Sequence, residues 1–359
     1  MSEKSFGAPS LADRLVVLRP LVGLAIVLGL FAALLTQKGE LGSFLSLGNF
    51  QVLLHTNSVA AVLALGMLIV IVSGGIDLSV GSVVALVTVV TMQAYTLVYA
   101  GTVDYGGVQH LFQGGAGPWP GTHSVLLASL AAIAAGVLAG GLCGLCNGLM
   151  VTRLRIAPFV ATLGMLSVAR GLALWVAGRH RITFSSAAQP DWVTSLQTAK
   201  APHTVFDPGV WSVLALAAVV AVVLRYTVFG RYCYALGSNE ATARLCGVPV
   251  PRTKVGVYVL AGLLAGWAGV LRFAHSSSGD PNAGVGLELI VIAAVVIGGA
   301  SLNGGQGSVF GTLVGVLIWG IIDNGVGFFN ANVEVQYILI GGFFIVNTAL
   351  SQWQRRRAE

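Results

Sequence analysis

The chain has 359 residues, of which 56% are hydrophobic and only 9% charged; a soluble domain carries about 25% charged residues, so a water-soluble globular protein is excluded. Its net charge of +6 is spread over short loops, with no basic stripe and no interleaved aromatics, which excludes nucleic acid as a partner and leaves membrane lipid as the surroundings. The 48 glycines fit a bilayer, where small residues let helices approach closely.

In chain order, residues 1–14 form a polar tail. Lys4, Arg14 and Arg19 then precede an apolar run from Leu21 to Leu35. No A-x-A-like cleavage site follows, so the run reads as an uncleaved first span. Thr36 to Gln51 reads as a loop, Val52 to Val72 as a second span, and Ser82 to about Ala100 as a third. Gly101 to His123 carries no lysine or arginine and is expected outside. Val125 to Met150 and about Ala157 to Ala177 are the fourth and fifth spans, with Arg153 and Arg155 between them. A long loop, Gly178 to Pro208, leads to a sixth span, Val210 to Leu224. The charged stretch Arg225 to Lys254 precedes a seventh, Val255 to about Phe273, and the glycine-rich turn Ser276 to Gly286. Apolar runs over Leu287 to Ala300, Val309 to Ile322 and Val335 to Leu350 complete the set, before Arg355, Arg356 and Arg357. The first of these is short for a full span of about 20 residues, so it either stops partway or is completed by polar residues lining a cavity.

The expected fold is therefore all-α: about ten transmembrane helices, both termini cytoplasmic. Residues 15–350 form one membrane domain with a cytoplasmic loop at 225–254, and residues 351–359 form a basic tail. In this arrangement 13 of the 19 basic residues fall inside, while Lys38, Arg179, Arg181, Lys200 and Arg272 fall outside and Arg170 lies within the fifth span.

Two glycine-rich interruptions break the apolar pattern in corresponding places. The first is Ser73-Gly74-Gly75-Ile76-Asp77-Leu78-Ser79-Val80-Gly81-Ser82; the second is Gly298-Gly299-Ala300-Ser301-Leu302-Asn303 followed by Gly304-Gly305-Gln306 and Gly307-Ser308-Val309. Hydrocarbon cannot satisfy the backbone groups such breaks free, so both must face protein, a cavity or an interface. They suggest two related halves with a pathway between them.

The cytoplasmic loop reads as a short helix outside the membrane. Ser238 is the expected N-cap, Glu240 suits the positive start, Arg244 the negative end, and Gly247 with Pro249 stops the turn. Its small residues suit a partner's groove better than a lipid surface. Cys143 and Cys146 form a C-x-x-C inside the small-residue run Gly136 to Gly148, where a helix-packing face is expected instead of redox or zinc chemistry. Cys233 and Cys246 are expected as reduced cytoplasmic thiols.

Gly74-Gly75-Ile76-Asp77-Leu78-Ser79-Val80-Gly81, Gly237-Ser238-Asn239-Glu240 with Ala243-Arg244-Leu245 and Gly247, and Gly298-Gly299-Ala300-Ser301-Leu302 resemble the membrane permeases of bacterial ATP-driven sugar importers of the ribose, xylose and galactofuranose type. The resemblance covers roughly Val59 to Leu350. It implies a permease dimer, of one or two kinds of chain, in the bacterial inner membrane, with ATPase subunits docked on cytoplasmic loops and a periplasmic sugar-binding protein delivering substrate. It also implies that Gly237, Asn239, Glu240, Ala243, Arg244 and Gly247 belong to the helix that couples to the ATPase. No Gly-Lys dipeptide occurs, so the chain lacks the phosphate-cradling P-loop. No cofactor is expected on this chain; ATP and magnesium belong to the partner ATPase. The expected role is a transport subunit, not an enzyme.

Several side chains carry two readings. Asp77 is either a coupling-ion site or a cap on the third span. Arg170 either faces a cavity and binds sugar hydroxyls or serves as a structural anchor. Asp323 and Asn324 either line an entrance or cap a helix. Gly74, Gly75, Asp77, Ser79, Gly81, Gly298, Gly299 and Asn303 are the gating candidates, and Ser82, Arg170 and Ser301 are candidates for the substrate path. His55, His180 and His275 lack metal-ligand spacing, and Trp175, Trp211, Trp267 and Trp319 mostly suit interfacial belts. An ion-coupled secondary transporter and a permease for a branched-chain amino acid are the alternative functions. The Gly178 to Pro208 loop is the expected docking surface for the binding protein.

Overall fold

A computed structural model describes residues 11–100, 124–183 and 206–329, together with 190, 192, 193, 196, 338, 341 and 342. Among these, eight helices are long and apolar enough to cross a membrane. They lie in α1 (Leu11–Lys38), α3 (Leu47–Val72), α4 (Val80–Ala100), α5 (Val125–Thr152), α6 (Pro158–Val176), α7 (Pro208–Tyr226), α10 (Val250–Ser276) and α12 (Val309–Phe328). Four shorter helices join them: α2 (Leu41–Phe44), α8 (Val228–Ser238), α9 (Glu240–Leu245) and α11 (Leu287–Ile297). A small antiparallel clasp pairs β1 (Ile182–Thr183) with β2 (Ser278–Gly279), in register Ile182↔Gly279 and Thr183↔Ser278. The predicted span Val335 to Leu350, the loop Gly101 to His123, the basic tail and most of the loop after Thr183 lie outside the described residues.

The bundle is organised around α3. Its residues Asn57 to Val72 are all buried, as expected for a helix that is apolar on every face. By contrast, α5, α6 and α7 each leave one apolar face exposed, with Leu138 and Leu142, Phe159 and Val160, and Val219 and Val222 turned outward. The packing face expected around the C-x-x-C is present. A side chain at Gly140 or Gly144 of α5 would run into the backbone of Gly262 and its neighbours on α10, so glycine at these points lets the two backbones touch. All four cysteines are free.

The short apolar run is explained by how the chain crosses the bundle after α10. α10 starts beside α9 and ends at the opposite end of the bundle, whereas α12 starts back beside Val72, to which Gly305 donates a backbone hydrogen bond of 2.9 Å. The return is made in two parts. Residues 280–286 descend as irregular backbone along α4, and the 11 residues of α11 follow, about 16 Å of helix. Such backbone is tolerated inside a membrane protein only where its polar groups find partners. The Asp280 N–H donates to Thr88 Oγ1 at 3.0 Å, and Arg170 Nη1 donates to the Pro281 and Ala283 carbonyls at 2.8 and 2.9 Å.

Four sequence expectations are corrected. The loop Thr36 to Gln51 is largely helical, because Ser46 accepts from the Asn49 N–H and starts α3 five residues earlier than expected. Ser238 does not cap α9; it ends α8, and Asn239, whose Oδ1 accepts from Thr242 N–H at 3.0 Å, is the cap. Neither Asp323 nor Asn324 caps a helix, since α12 continues to Phe328 and Asn324 exchanges two 2.9 Å hydrogen bonds with Asn49. Trp319 is buried inside the bundle, not in an interfacial belt, while Trp175 and Trp211 are exposed.

Candidate functional site

The two glycine-rich breaks, far apart in sequence, meet at one end of the bundle, and the turn between α8 and α9 lies between them. Gly305 of the second break hydrogen-bonds the Val72 carbonyl at the end of α3. Gly237 fits between these strands so tightly that a Cβ there would collide with the Val72 carbonyl and the Gly305 amide. Gly304, at φ +88°, turns back against the Gly237 backbone, and Gly305, at φ +72°, rests on Ser238. Sequence reasoning found all three motifs; the structure brings them into one junction.

α9 hangs from this junction. Glu240 in its first turn receives Lys254 Nζ at 2.6 Å and Arg244 at 3.1 Å, tying α9 to the start of α10. The Lys254 hydrogen bond holds the Glu240 carboxyl below its ordinary range, outweighing partial burial. Ala243 is buried against Leu236, Val248 and Val250. It therefore anchors α9 to its own chain instead of facing outward. The outward face carries Arg244 and Leu245, and the Leu245 side chain is 88% exposed. Gly247, at φ +83°, turns the chain back toward α10. Leu245 lies within the Ala243-Arg244-Leu245 motif, and nothing in its sequence spacing distinguishes an outward leucine on a helix this short.

The first break is stitched by side chains. Asp77 Oδ1 accepts from both the Ser79 N–H at 2.8 Å and the Ser79 hydroxyl at 2.6 Å, and Asn147 of α5 donates to Ser79 Oγ at 3.0 Å. Asp77 thus caps the turn entering α4, while Ser79 holds the N-cap position, its carbonyl accepting from Val83. Ser82 is buried and donates to the Ser79 carbonyl. Gly81 packs directly on Gly284 and on the Glu288 carboxylate, a half-buried acid that the apolar run around it concealed. In the second break Gly298 packs on Gly311, Gly299 turns at φ +94°, Ser301 is buried with its N–H on the Gln306 carbonyl, and Asn303 is exposed.

A cavity of about 350 Å³ opens at the junction, lined by Gly74, Gly237, Asn239, Lys254, Tyr258 and Asn303 among others. No group of three or more histidine, cysteine or acidic residues suited to a metal occurs among the described residues.

A family model described as the permease component of the branched-chain amino acid transport system matches residues 49–348. An L-arabinose ABC transporter permease from Azospirillum brasilense is 36% identical, covering 88% of this chain and 83% of its own. The ribose import permease of Escherichia coli K12 is also 36% identical, covering 83% of each chain, and the fructose import permease of Rhizobium meliloti is 30% identical over 98% of this chain and 87% of its own.

The chain belongs to the permease family of bacterial ABC sugar importers.

No solved structure matches it. As a permease of this family, with eight membrane-length helices among its described residues, it is a multi-pass protein of the bacterial inner membrane. The opposite end of the permease is tied together by two histidines that look scattered in sequence. His55 Nδ1 meets Asp207 Oδ2 at 2.6 Å, and the His55 and His275 rings lie 4.1 Å apart. Burial pushes the Asp207 carboxyl up, but the His55 and Val210 hydrogen bonds outweigh it and hold the group below its ordinary range. Asp207 also N-caps α7, so one carboxylate links α3, α7 and α10.

Proposed function

We propose that this permease carries a monosaccharide into the cytoplasm by alternating access, driven by ATPase subunits that dock on α9. The supporting observation is the junction at Gly237, where the end of α8, leading straight into α9, meets both glycine-rich breaks through close backbone contacts. A displacement of α9 therefore shifts the end of α3 and the start of α12 together. Close-packed elements transmit such displacements because they are stiff. The end carrying α9 is the cytoplasmic end, in keeping with Arg225, Arg231, Arg244, Arg252 and Lys254 gathered there. ATP and magnesium act on the partner subunits.

The docking face consists of Leu245 as an apolar anchor with Arg244 beside it; a largely exposed leucine on a helix outside the membrane suits a partner's apolar groove. The sugar reading is supported by relatives named for arabinose, ribose and fructose. The geometry of Asp77, whose Oδ1 is engaged by Ser79, supports a turn-capping role over a coupling-ion site. A second permease chain complete with a periplasmic sugar-binding protein on the opposite face, around the loop 178–208, finishes the assembly.

The test is copurification of the tagged chain from its native membrane. An ABC ATPase subunit is expected in stoichiometric amount and is expected to be lost on Leu245→Asp, with membrane insertion retained. Recovery of the chain alone, active in vesicles without ATP, contradicts the proposal.

A further inference from the structure

The cavity at the junction has the features of a binding site that coupling alone does not need. Its volume of about 350 Å³ lies at the lower end of the range for small-molecule pockets, about 300–1,000 Å³. Tyr258 borders it and is 97% buried, its exposure being 3%, yet its hydroxyl has no hydrogen-bond partner among the described residues. A buried unsatisfied hydroxyl costs roughly 1–3 kcal/mol and is expected to find a partner when a ligand is present. Gly75 packs directly against that hydroxyl, and a Cβ there would sit 2.8 Å from it.

The rest of the lining identifies the ligand's chemistry. Ser73, Ser238, Asn239 and Asn303 offer neutral donors and acceptors, and Lys254 is already engaged by the Glu240 carboxylate at 2.6 Å, which Arg244 also meets at 3.1 Å. An anion would meet the Glu240 carboxylate, and an apolar molecule would leave the polar atoms unmatched. A small neutral polyol matches all of them.

We propose that this cavity binds the transported monosaccharide from the cytoplasmic side, bridging Tyr258 on α10 to the α8–α9 turn, and that its occupancy holds α9 in place and slows further import. The inference rests on the sugar-permease reading above. Product accumulating inside thereby restrains its own uptake through a site separate from the path across the bundle.

The test uses the full complex of permease, ATPase and binding protein in proteoliposomes. Uptake of radiolabelled L-arabinose, D-ribose and D-fructose is measured first, and the sugar taken up is then preloaded, unlabelled, at rising internal concentration. The expected result is a saturable fall in initial uptake rate. The internal concentration giving half inhibition rises about three- to tenfold in Tyr258→Phe, the loss expected for one or so hydrogen bonds. Asn303→Ala, on an exposed loop, is expected to shift it in the same direction and serves if the tyrosine variant does not assemble. Robust uptake with no inhibition by internal sugar overturns the inference and leaves the sugar reading intact, as does inhibition that both variants leave unchanged. Uptake of none of the sugars overturns the sugar reading and the inference with it.

Discussion

The two glycine-rich breaks occupy corresponding places and meet at one junction, yet they are built by different means. The first, at residues 73–79, is buried and held by side chains: Asp77 on Ser79, Asn147 on Ser79, and Thr162 on the Ile76 carbonyl at 3.3 Å. The second, at 298–308, is held mainly by backbone, Ser301 to Gln306, Gly304 to Ser301, and Gly305 to Val72, with the Tyr234 hydroxyl donating to the Gly307 carbonyl at 2.9 Å, and it has five glycines and an exposed Leu302 and Asn303. Similar glycine patterns therefore do not imply similar mechanics. Both breaks touch the α8–α9 turn at Gly237, but the first is tied in addition to α5 and α6 by side chains, whereas the second is not.

The contrast can be broken in order of expected effect. Asp77→Ala removes the acceptor of two buried hydrogen bonds and is expected to lower the stability of the purified permease by about 2–4 kcal/mol, read as thermal unfolding in detergent. Asp77→Asn keeps an acceptor oxygen and is expected to retain transport; a fully assembled Asp77→Asn complex with no transport would instead restore the ion-site reading. Gly304→Ala meets both the left-handed φ of +88° and the Gly237 backbone, and a cost of about 1–3 kcal/mol is expected in the same assay. Asn303→Ala, exposed and held by no side-chain bond that the break depends on, is expected to change stability by less than about 0.5 kcal/mol. A loss as large as that of Asp77→Ala would show that the second break relies on the Asn303 side chain as the first does on Asp77.

The smallest expected effect is a pH response of α9. Because the folded-state pKa of Glu240 is depressed, its tether to Lys254 is fully present above the ordinary carboxylate value of about 4.3 and is lost only as pH falls through the lower folded value. A spin label on Cys246, in a Cys146→Ser background, is expected to show unchanged mobility from about pH 8 to about pH 5. Glu240→Gln is expected to loosen it across that whole range.

Much of this architecture was legible in the sequence because hydropathy and glycine spacing report it directly. The breaks, the span positions and the α9 loop all follow from such patterns. What was not legible required partners distant in sequence. Arg170 carried both an anchoring and a sugar-binding reading; it is an anchor, but on the Pro281 and Ala283 carbonyls, backbone groups that carry no side-chain signal to name them in advance. His55 and His275 looked unrelated until folding stacked them beside Asp207. The choice of Asn239 over Ser238 as the cap turned on one residue, because α8 runs on through Ser238 and both residues are good caps. Ala243 and Leu245 lie on opposite sides of a helix of six residues, too short for periodicity to assign its faces.

The account rests on Gly237 as the point where α9 grips both breaks. The most direct measurement is sugar imported per ATP hydrolysed by complexes carrying Gly237→Ala, with ATPase subunit content determined in the same preparation. The predicted result is an ATPase subunit still bound and hydrolysing ATP while import per ATP falls at least about tenfold, since the Cβ forces Val72 and Gly305 apart. An unchanged ratio of import to hydrolysis would contradict the account, because motion of α9 would then reach the breaks by another route.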